Sequence, residues 1–154
     1  MWRIAKPVES ETIVQMCRAL NQEDPCQDPV PDENMRRTLR TLQEEPARGR
    51  ALVLELDSQI HGYALLITFW SNELGGEVCF IDELYVGKAS RGQGHGTALV
   101  RALTEWTVDG PRIWPYRPTV VELEVSPDNA RARELYSSLG FKQVRNSHLR
   151  IKIR

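Results

Sequence analysis

Two carboxylates and a glycine-rich stretch lie next to each other in the middle of the chain. Asp82 and Glu83 stand within an apolar run, and Gly92, Gly94 and Gly96 follow just before a helical pattern begins. A strand that leads through a glycine-rich turn into a helix can hold a phosphate, because main-chain N–H groups converge on the anion and the helix dipole adds positive potential. The sequence therefore predicts an anion site with acidic groups beside it.

The glycine spacing excludes two common phosphate loops. The dinucleotide pattern G-x-G-x-x-G would need a glycine where Thr97 stands. The nucleoside-triphosphate pattern fails as well, because no Gly-Lys-Ser or Gly-Lys-Thr follows. The pattern that remains is Arg91-x-x-Gly94-x-Gly96.

A second patterned segment covers residues 129–141. Asn129, Arg133 and Tyr136 are spaced i, i+4 and i+7, so they share one face of a predicted helix. The adjacent apolar stripe consists of Ala132, Leu135 and Leu139. We expect the stripe to pack on a sheet while Asn129 and Tyr136 reach a neighbouring cleft.

Together the two segments resemble the GCN5-related N-acetyltransferase (GNAT) superfamily. The first is similar to its Q/R-x-x-G-x-G/A loop, and the second to its N-x-x-A-x-x-L-Y-x-x-x-G-F helix. The resemblance implies acetyl-coenzyme A (acetyl-CoA) as cosubstrate and an α/β (α+β) GNAT fold. That fold has a mixed, mostly antiparallel twisted sheet of about seven strands flanked by about four helices. We expect one such domain over residues 1–154.

The resemblance also assigns residues to the cofactor. Those implied to bind acetyl-CoA are Leu84, Tyr85 and Val86 on the strand, Arg91, Gly92, Gln93, Gly94, His95, Gly96 and Thr97 in the loop, and Asn129 and Tyr136 on the later helix. In this assignment Asn129 hydrogen-bonds the pantetheine arm and Tyr136 lies beside the sulfur.

Acetyl transfer to an amine sets the chemistry that these residues must supply. A primary amine with a pKa of about 10.4 is mostly charged at pH 7, so a base is required. Asp82 and Glu83 are the candidate bases, directly or through water, and strand N–H groups at residues 84–86 can stabilise the oxyanion. Tyr136 can protonate the departing thiolate.

Adjacent strand residues point to opposite faces, so Asp82 and Glu83 cannot both face the cleft on a regular strand. Leu84 and Val86 share the parity of Asp82, which indicates a packed face for Asp82. GNAT folds, however, carry a bulge in this strand, and a bulge resets parity. We therefore predict that the pair acts together and favour Asp82.

The elements expected around these motifs follow the order β-α-α-β-β-β-α-β-α-β-β. The predicted strands are 2–6, 51–56, 60–70, 77–86, 120–125 and a final hairpin of 141–144 with 149–153. The predicted helices begin at Ser10 and Asp32, span 94–108, and run from Ser126-Pro127 to Leu139 with Gly140 at C′. A polar loop 21–31 and an irregular segment 108–118 complete the chain.

Composition excludes several other classes. A net charge of −1, with 41% apolar and 27% charged residues, gives no support to nucleic-acid or membrane binding. There is no apolar run of about 18 residues, and the first residues do not form a signal peptide. Three cysteines without C-x-x-C spacing argue against a zinc site, so we expect no metal and a cytoplasmic location. The sequence leaves open whether the protein forms a homodimer.

The acceptor is the least determined part of the prediction. Acidic residues concentrated in segment 23–33, together with Asp82 and Glu83, favour a small cationic amine. The main alternatives are a protein N-terminus or lysine as acceptor, and a non-catalytic acyl-CoA-binding sensor. Four aromatic residues could also line an acceptor pocket, although packing is their commoner role: Trp70, Trp106, Trp114 and Tyr116.

Overall fold

The computed structural model describes residues 1–105 and 113–153. Within them, five strands form one sheet in the order β1-β2-β3-β4-β5, where β1 to β4 pair antiparallel and β5 pairs parallel to β4. The strands are β1 (Trp2–Ile4), β2 (Gly49–Leu56), β3 (Gln59–Ser71), β4 (Gly76–Val86) and β5 (Val120–Leu123). The helices are α1 (Ser10–Glu23), α2 (Asp32–Glu44), α3 (His95–Thr104) and α4 (Ala130–Ser138).

The helices cover both faces of the sheet because the strands are apolar on both sides. Helices α1 and α2 place Ile13, Val14 and Leu39 against one face. Helix α3 places Leu99 and Leu103 against the other. We refer to these as the α1/α2 face and the α3 face. Among the described residues, no helix is both long and apolar enough to cross a membrane.

The α/β class and the four helices are confirmed, but the expected seven strands are wrong for the described residues, which form five. The missing pair is the final hairpin, since residues 141–153 have no regular secondary structure. Leu149, Ile151 and Ile153 alternate as in a strand but are 89%, 86% and 90% exposed. Alternation describes side-chain direction only, and a strand also needs a hydrogen-bonding neighbour.

Several predicted boundaries also need correction. Strand β1 ends at Ile4 and α1 continues to Glu23, so the loop before α2 is shorter than predicted. Helix α3 ends at Thr104, while residues 106–108 of the predicted helix lie outside the described residues. Helix α4 begins three residues later than predicted, because Asn129 caps it instead of Ser126. Gly140 has the predicted left-handed conformation after that helix, with φ 92°.

Candidate active site

A β-bulge at Asp82 orients the two carboxylates. Leu65 on β3 pairs with Glu83, whereas Leu66 pairs with Ile81, so Asp82 has no partner on β3. The extra residue resets the alternation of β4. As a result Ile81 packs on the α3 face, and Glu83 points to the α1/α2 face, where Tyr63 lies.

The sheet opens at the same point. Strand β5 pairs with β4 only from Val78 to Ile81. Beyond Ile81, β4 continues to Val86 without β5 beside it, and α4 follows further along the chain. The main chain of residues 82–86 therefore faces an opening on that side of β4.

This opening is part of a groove of about 1130 Å³. Of the residues assigned to acetyl-CoA, those that line it are Leu84, Tyr85, Val86, Arg91, Gly92, Gly94, His95, Gly96, Thr97, Asn129 and Tyr136. Gln93 is not among them, because its amide turns back toward the Ala89 carbonyl at 3.4 Å. The two sequence motifs thus form opposite walls of one groove.

The glycine loop presents main-chain N–H groups to the groove. Gly92 and Gly94 have φ angles of 76° and 80°, which a residue with a Cβ adopts at a cost. In the described part of the chain, no hydrogen bond is donated by the main-chain N–H groups of residues 92–97, and the first to find an acceptor is Ala98, on Gly94 O at 2.9 Å. Free N–H groups at the start of α3 make this end of the groove an anion site.

Arg91 fixes the start of the loop instead of pointing free into the groove. Its Nε donates to the Val86 carbonyl oxygen at 2.7 Å, and its guanidinium lies 5.5 Å from the centre of the Tyr85 ring. Its terminal nitrogen pairs with Glu23 at 2.7 Å, and the Lys88 ammonium is 3.9 Å from the same carboxylate. Glu23 therefore places a negative charge beside the anion site.

The end of α1 also contacts the opposite wall. Asn129 Nδ2 donates to Asp24 Oδ2 at 2.8 Å, and its Oδ1 accepts the Ala132 N–H at 3.1 Å as the cap of α4. Both polar atoms of Asn129 thus have protein partners. Glu23 and Asp24 together connect the two walls of the groove.

Tyr136 lies on the groove wall with its ring edge-on to Phe141, the centroids 5.5 Å apart. Burial raises the pKa of its hydroxyl above the usual value. The hydroxyl therefore keeps its proton at neutral pH and can act as a donor.

The two carboxylates have different surroundings. Tyr63 Oη donates to Glu83 Oε2 at 2.6 Å, and Glu83 is half-buried. Burial raises the pKa of Glu83, the Tyr63 hydrogen bond partly offsets this, and the charge of Asp82 raises it further. The Asp82 side chain is exposed, yet surrounding protein partly desolvates the carboxylate, and this effect together with the charge of Glu124 raises its pKa.

The acidic residues of segment 23–33 have partners within the protein. Asp28 pairs with Lys152 at 3.0 Å, Asp32 with Arg18, and Glu33 is 3.9 Å from Arg36. Asp82 and Glu83 form no ion pair among residues 1–105 and 113–153. The two carboxylates at the bulge therefore keep charge that no cation among these residues neutralises.

The aromatic candidates for an acceptor pocket divide into separate places. Trp114 is 1% exposed in the core of the α3 face, where Tyr116 packs edge-on against it. Trp70 is 65% exposed at the far end of β3. Trp106 lies outside the described residues. Sequence reasoning missed Tyr63, whose only signal is a hydroxyl within the apolar run 63–67 of β3.

The sheet that opens at a bulge and the glycine loop that begins α3 define the class of protein. The chain belongs to the Acetyltransferase (GNAT) family, whose model matches residues 13–141.

Named relatives match about half of the chain. An aminoglycoside N(6')-acetyltransferase type 1 of Klebsiella pneumoniae is 35% identical over 75 residues, which are 49% of this chain and 35% of that enzyme. A kanamycin resistance protein of Rhizobium radiobacter is 33% identical over 75 residues, 49% of this chain and 65% of that protein. The matched stretch therefore spans about a third of the first relative and less than two thirds of the second.

Solved structures match over the full length of the chain. A "possible acetyltransferase" from Clostridium difficile superposes with a TM-score of 0.80 at 18% identity, covering 100% of this chain and 97% of that one. A Clostridium acetobutylicum structure described as a predicted acetyltransferase with acetyl-CoA gives 0.77 at 16% identity, covering 99% and 96%. At these identities the likeness supports the fold.

Proposed function

We propose that the protein transfers the acetyl group of acetyl-CoA to a primary amine of a small cationic molecule, by direct attack in a ternary complex. The observation that carries the proposal is the groove itself. It has free main-chain N–H groups of residues 92–97 at one end. Leu84, the chain neighbour of Glu83 on β4, and Tyr136 on α4 both line it. Membership of the family supports the same reaction.

The residues present fit acetyl-CoA as cosubstrate, which supplies an acyl carbonyl activated as a thioester. The N–H groups of residues 92–97 suit a diphosphate, because converging donors at a helix N-terminus favour an anion. The β4 main chain at residues 84–86 can hold an extended arm and stabilise the oxyanion. Asn129 would exchange one of its partners, Asp24, for that arm.

The carboxylates and Tyr136 complete the proton transfers. At pH 7 only about one amine in 2,500 is neutral for a pKa of about 10.4. We assign the base to Glu83, directly or through a water, because its carboxylate is half-buried with a raised pKa and still accepts a hydrogen bond. The amine nitrogen bonds to the acyl carbon, the carbon–sulfur bond breaks, and Tyr136 gives its proton to the sulfur. Asp82 attracts the cationic acceptor.

Two observations support a small cationic acceptor over a protein. The acids at the bulge carry no ion pair among the described residues, and two matched relatives are named for aminoglycoside acetylation and kanamycin resistance. Aminoglycosides and polyamines share the required chemistry, which is several ammonium groups on a small frame.

A thiol-release assay tests the proposal. Purified protein with acetyl-CoA is offered kanamycin, spermidine and a peptide with a free N-terminal alanine, with acetylated products identified by mass spectrometry. We expect turnover with one of the first two. Turnover with the peptide alone would make the protein a protein acetyltransferase, and binding of acetyl-CoA without turnover on any amine would make it a sensor.

A further inference from the structure

Tyr63 makes a hydrogen bond that the reaction described above does not use. The residue is fully buried on β3, and its hydroxyl reaches across the strand pair to Glu83 Oε2 at 2.6 Å. In the sheet register Tyr63 lies opposite Tyr85, two positions from Glu83, and the two tyrosine rings are 6.1 Å apart. The contact exists because the bulge at Asp82 turns Glu83 toward this face.

Tyr63 is the donor of this hydrogen bond and the Glu83 carboxylate is the acceptor. Burial and the charge of Glu83 raise the pKa of Tyr63, so its hydroxyl stays protonated and donates. One oxygen of Glu83 is thereby engaged, and the other remains available. A hydrogen bond that a carboxylate accepts favours its charged form.

The other groups that face Glu83 do not neutralise its charge. Cys17 on α1 lies beside the Tyr63 hydroxyl, and burial raises the pKa of its thiol to about 11. Cys26 in the loop after α1 and Asp82 on β4 are the other titratable neighbours, and neither is a cation. Tyr63 is thus the one donor recorded on this carboxylate among the described residues.

We propose that Tyr63 is a positioning residue, which holds the Glu83 carboxylate ionised and oriented so that its second oxygen can take the proton of the acceptor amine. This role rests on the proposed acetyl transfer. Tyr63 acts through Glu83, so its effect on catalysis should be absent when the Glu83 carboxylate is removed.

Tyr63→Phe tests this role, because it removes the hydroxyl and keeps the ring. We expect kcat at pH 7 to fall about tenfold with little change in the KM for the amine, and the acid limb of the pH–rate profile to move to higher pH. Tyr116→Phe is the matched control, since Tyr116 is a half-buried tyrosine on the α3 face, packed edge-on against Trp114 at 6.3 Å. It should leave kcat and the profile unchanged.

A double variant separates positioning from general damage to the fold. In a Glu83→Gln background, Tyr63→Phe should lower kcat less than twofold further. A further tenfold loss there, or an unchanged kcat and pH profile in the single variant, would overturn the proposal.

A carboxyl titration by NMR tests the same claim without turnover. With ¹³C-labelled glutamate, the Glu83 pKa should be higher in Tyr63→Phe than in the wild type, and unchanged in Tyr116→Phe. An unchanged Glu83 pKa would refute the role of Tyr63 even if no amine were acetylated. Absence of wild-type turnover alongside a raised Glu83 pKa would instead refute the proposed function.

Discussion

Replacing Glu83 by glutamine tests the assignment of the base most directly. Glutamine keeps the shape and still offers an oxygen to the Tyr63 hydroxyl, but it cannot accept a proton at neutral pH. General bases contribute about 10²–10⁴ in rate. We expect the lower part of this range, a loss of about 10²–10³ in kcat. The exposed neighbouring residue Asp82 can partly replace the base through water.

The same substitution should not weaken the fold at pH 7. The pKa of Glu83 is raised in the folded protein, so its ionised form costs folding free energy. A carboxyl group whose pKa is higher in the folded than in the unfolded state stabilises the fold at pH values below its unfolded-state pKa. That stabilisation is lost as the pH rises through its folded-state pKa. The variant should therefore melt at or above the wild-type temperature at pH 7, and its advantage should shrink as the pH is lowered toward the unfolded pKa of about 4.3.

The assay is thiol release at saturating acetyl-CoA across a pH series, with acetyl-CoA affinity measured by calorimetry. Glu77→Gln is the matched control, because Glu77 is a half-buried glutamate on the same strand that accepts a hydroxyl hydrogen bond, from Thr68 at 2.7 Å. It should retain wild-type kcat. A Glu83→Gln enzyme with wild-type kcat and pH profile would refute Glu83 as base, and a large loss in Asp82→Asn alone would return the role to Asp82.

Three further predictions concern the groove. Tyr136→Phe should bind acetyl-CoA normally and lose about 10²–10⁴ in kcat, since it removes the proton donor for the thiolate. Glu23→Gln should bind acetyl-CoA several-fold more tightly at low salt, because it removes a negative charge 2.7 Å from Arg91 beside the anion site. Gly94→Ala should lower the free energy of unfolding by about 1 kcal/mol, since a Cβ there meets no atom but φ is 80°.

One measured result would contradict each of these three predictions. Unchanged kcat in Tyr136→Phe would remove Tyr136 as proton donor. Equal or weaker affinity in Glu23→Gln, measured by calorimetry, would show that the carboxylate does not oppose the anion. Unchanged thermal unfolding in Gly94→Ala would mean that the loop does not need the left-handed conformation.

The groove walls could be predicted from sequence because their determinants are local. Gly92 and Gly94 occupy the left-handed positions of the loop, and the helix after it begins at His95, one residue after the predicted start. Tyr136 and Asn129 follow from helical spacing in the same way. The individual contacts of Asn129 and Arg91 could not be predicted, because their partners Asp24 and Glu23 lie at the end of a helix that runs further than its apolar pattern.

The orientation of the acids depended on pairing between strands, which sequence alternation does not contain. The bulge expected from the family resemblance is present at Asp82, but the sequence favoured Asp82 as base, whereas the surroundings favour Glu83. The role of each carboxylate stays a prediction. The final hairpin was wrongly predicted for the same reason: residues 149–153 alternate as in a strand, but no strand that the structure describes pairs with them.

Calorimetric titration of the wild-type protein and of Gly94→Ala with coenzyme A tests the central claim, that the N–H groups of residues 92–97 bind the diphosphate. We predict one site per chain in the wild type, an affinity that falls as salt is raised, and binding weakened at least tenfold in the variant, whose new methyl group would stand at the anion site. No heat with the wild-type protein, or equal affinity in the two proteins, would contradict it.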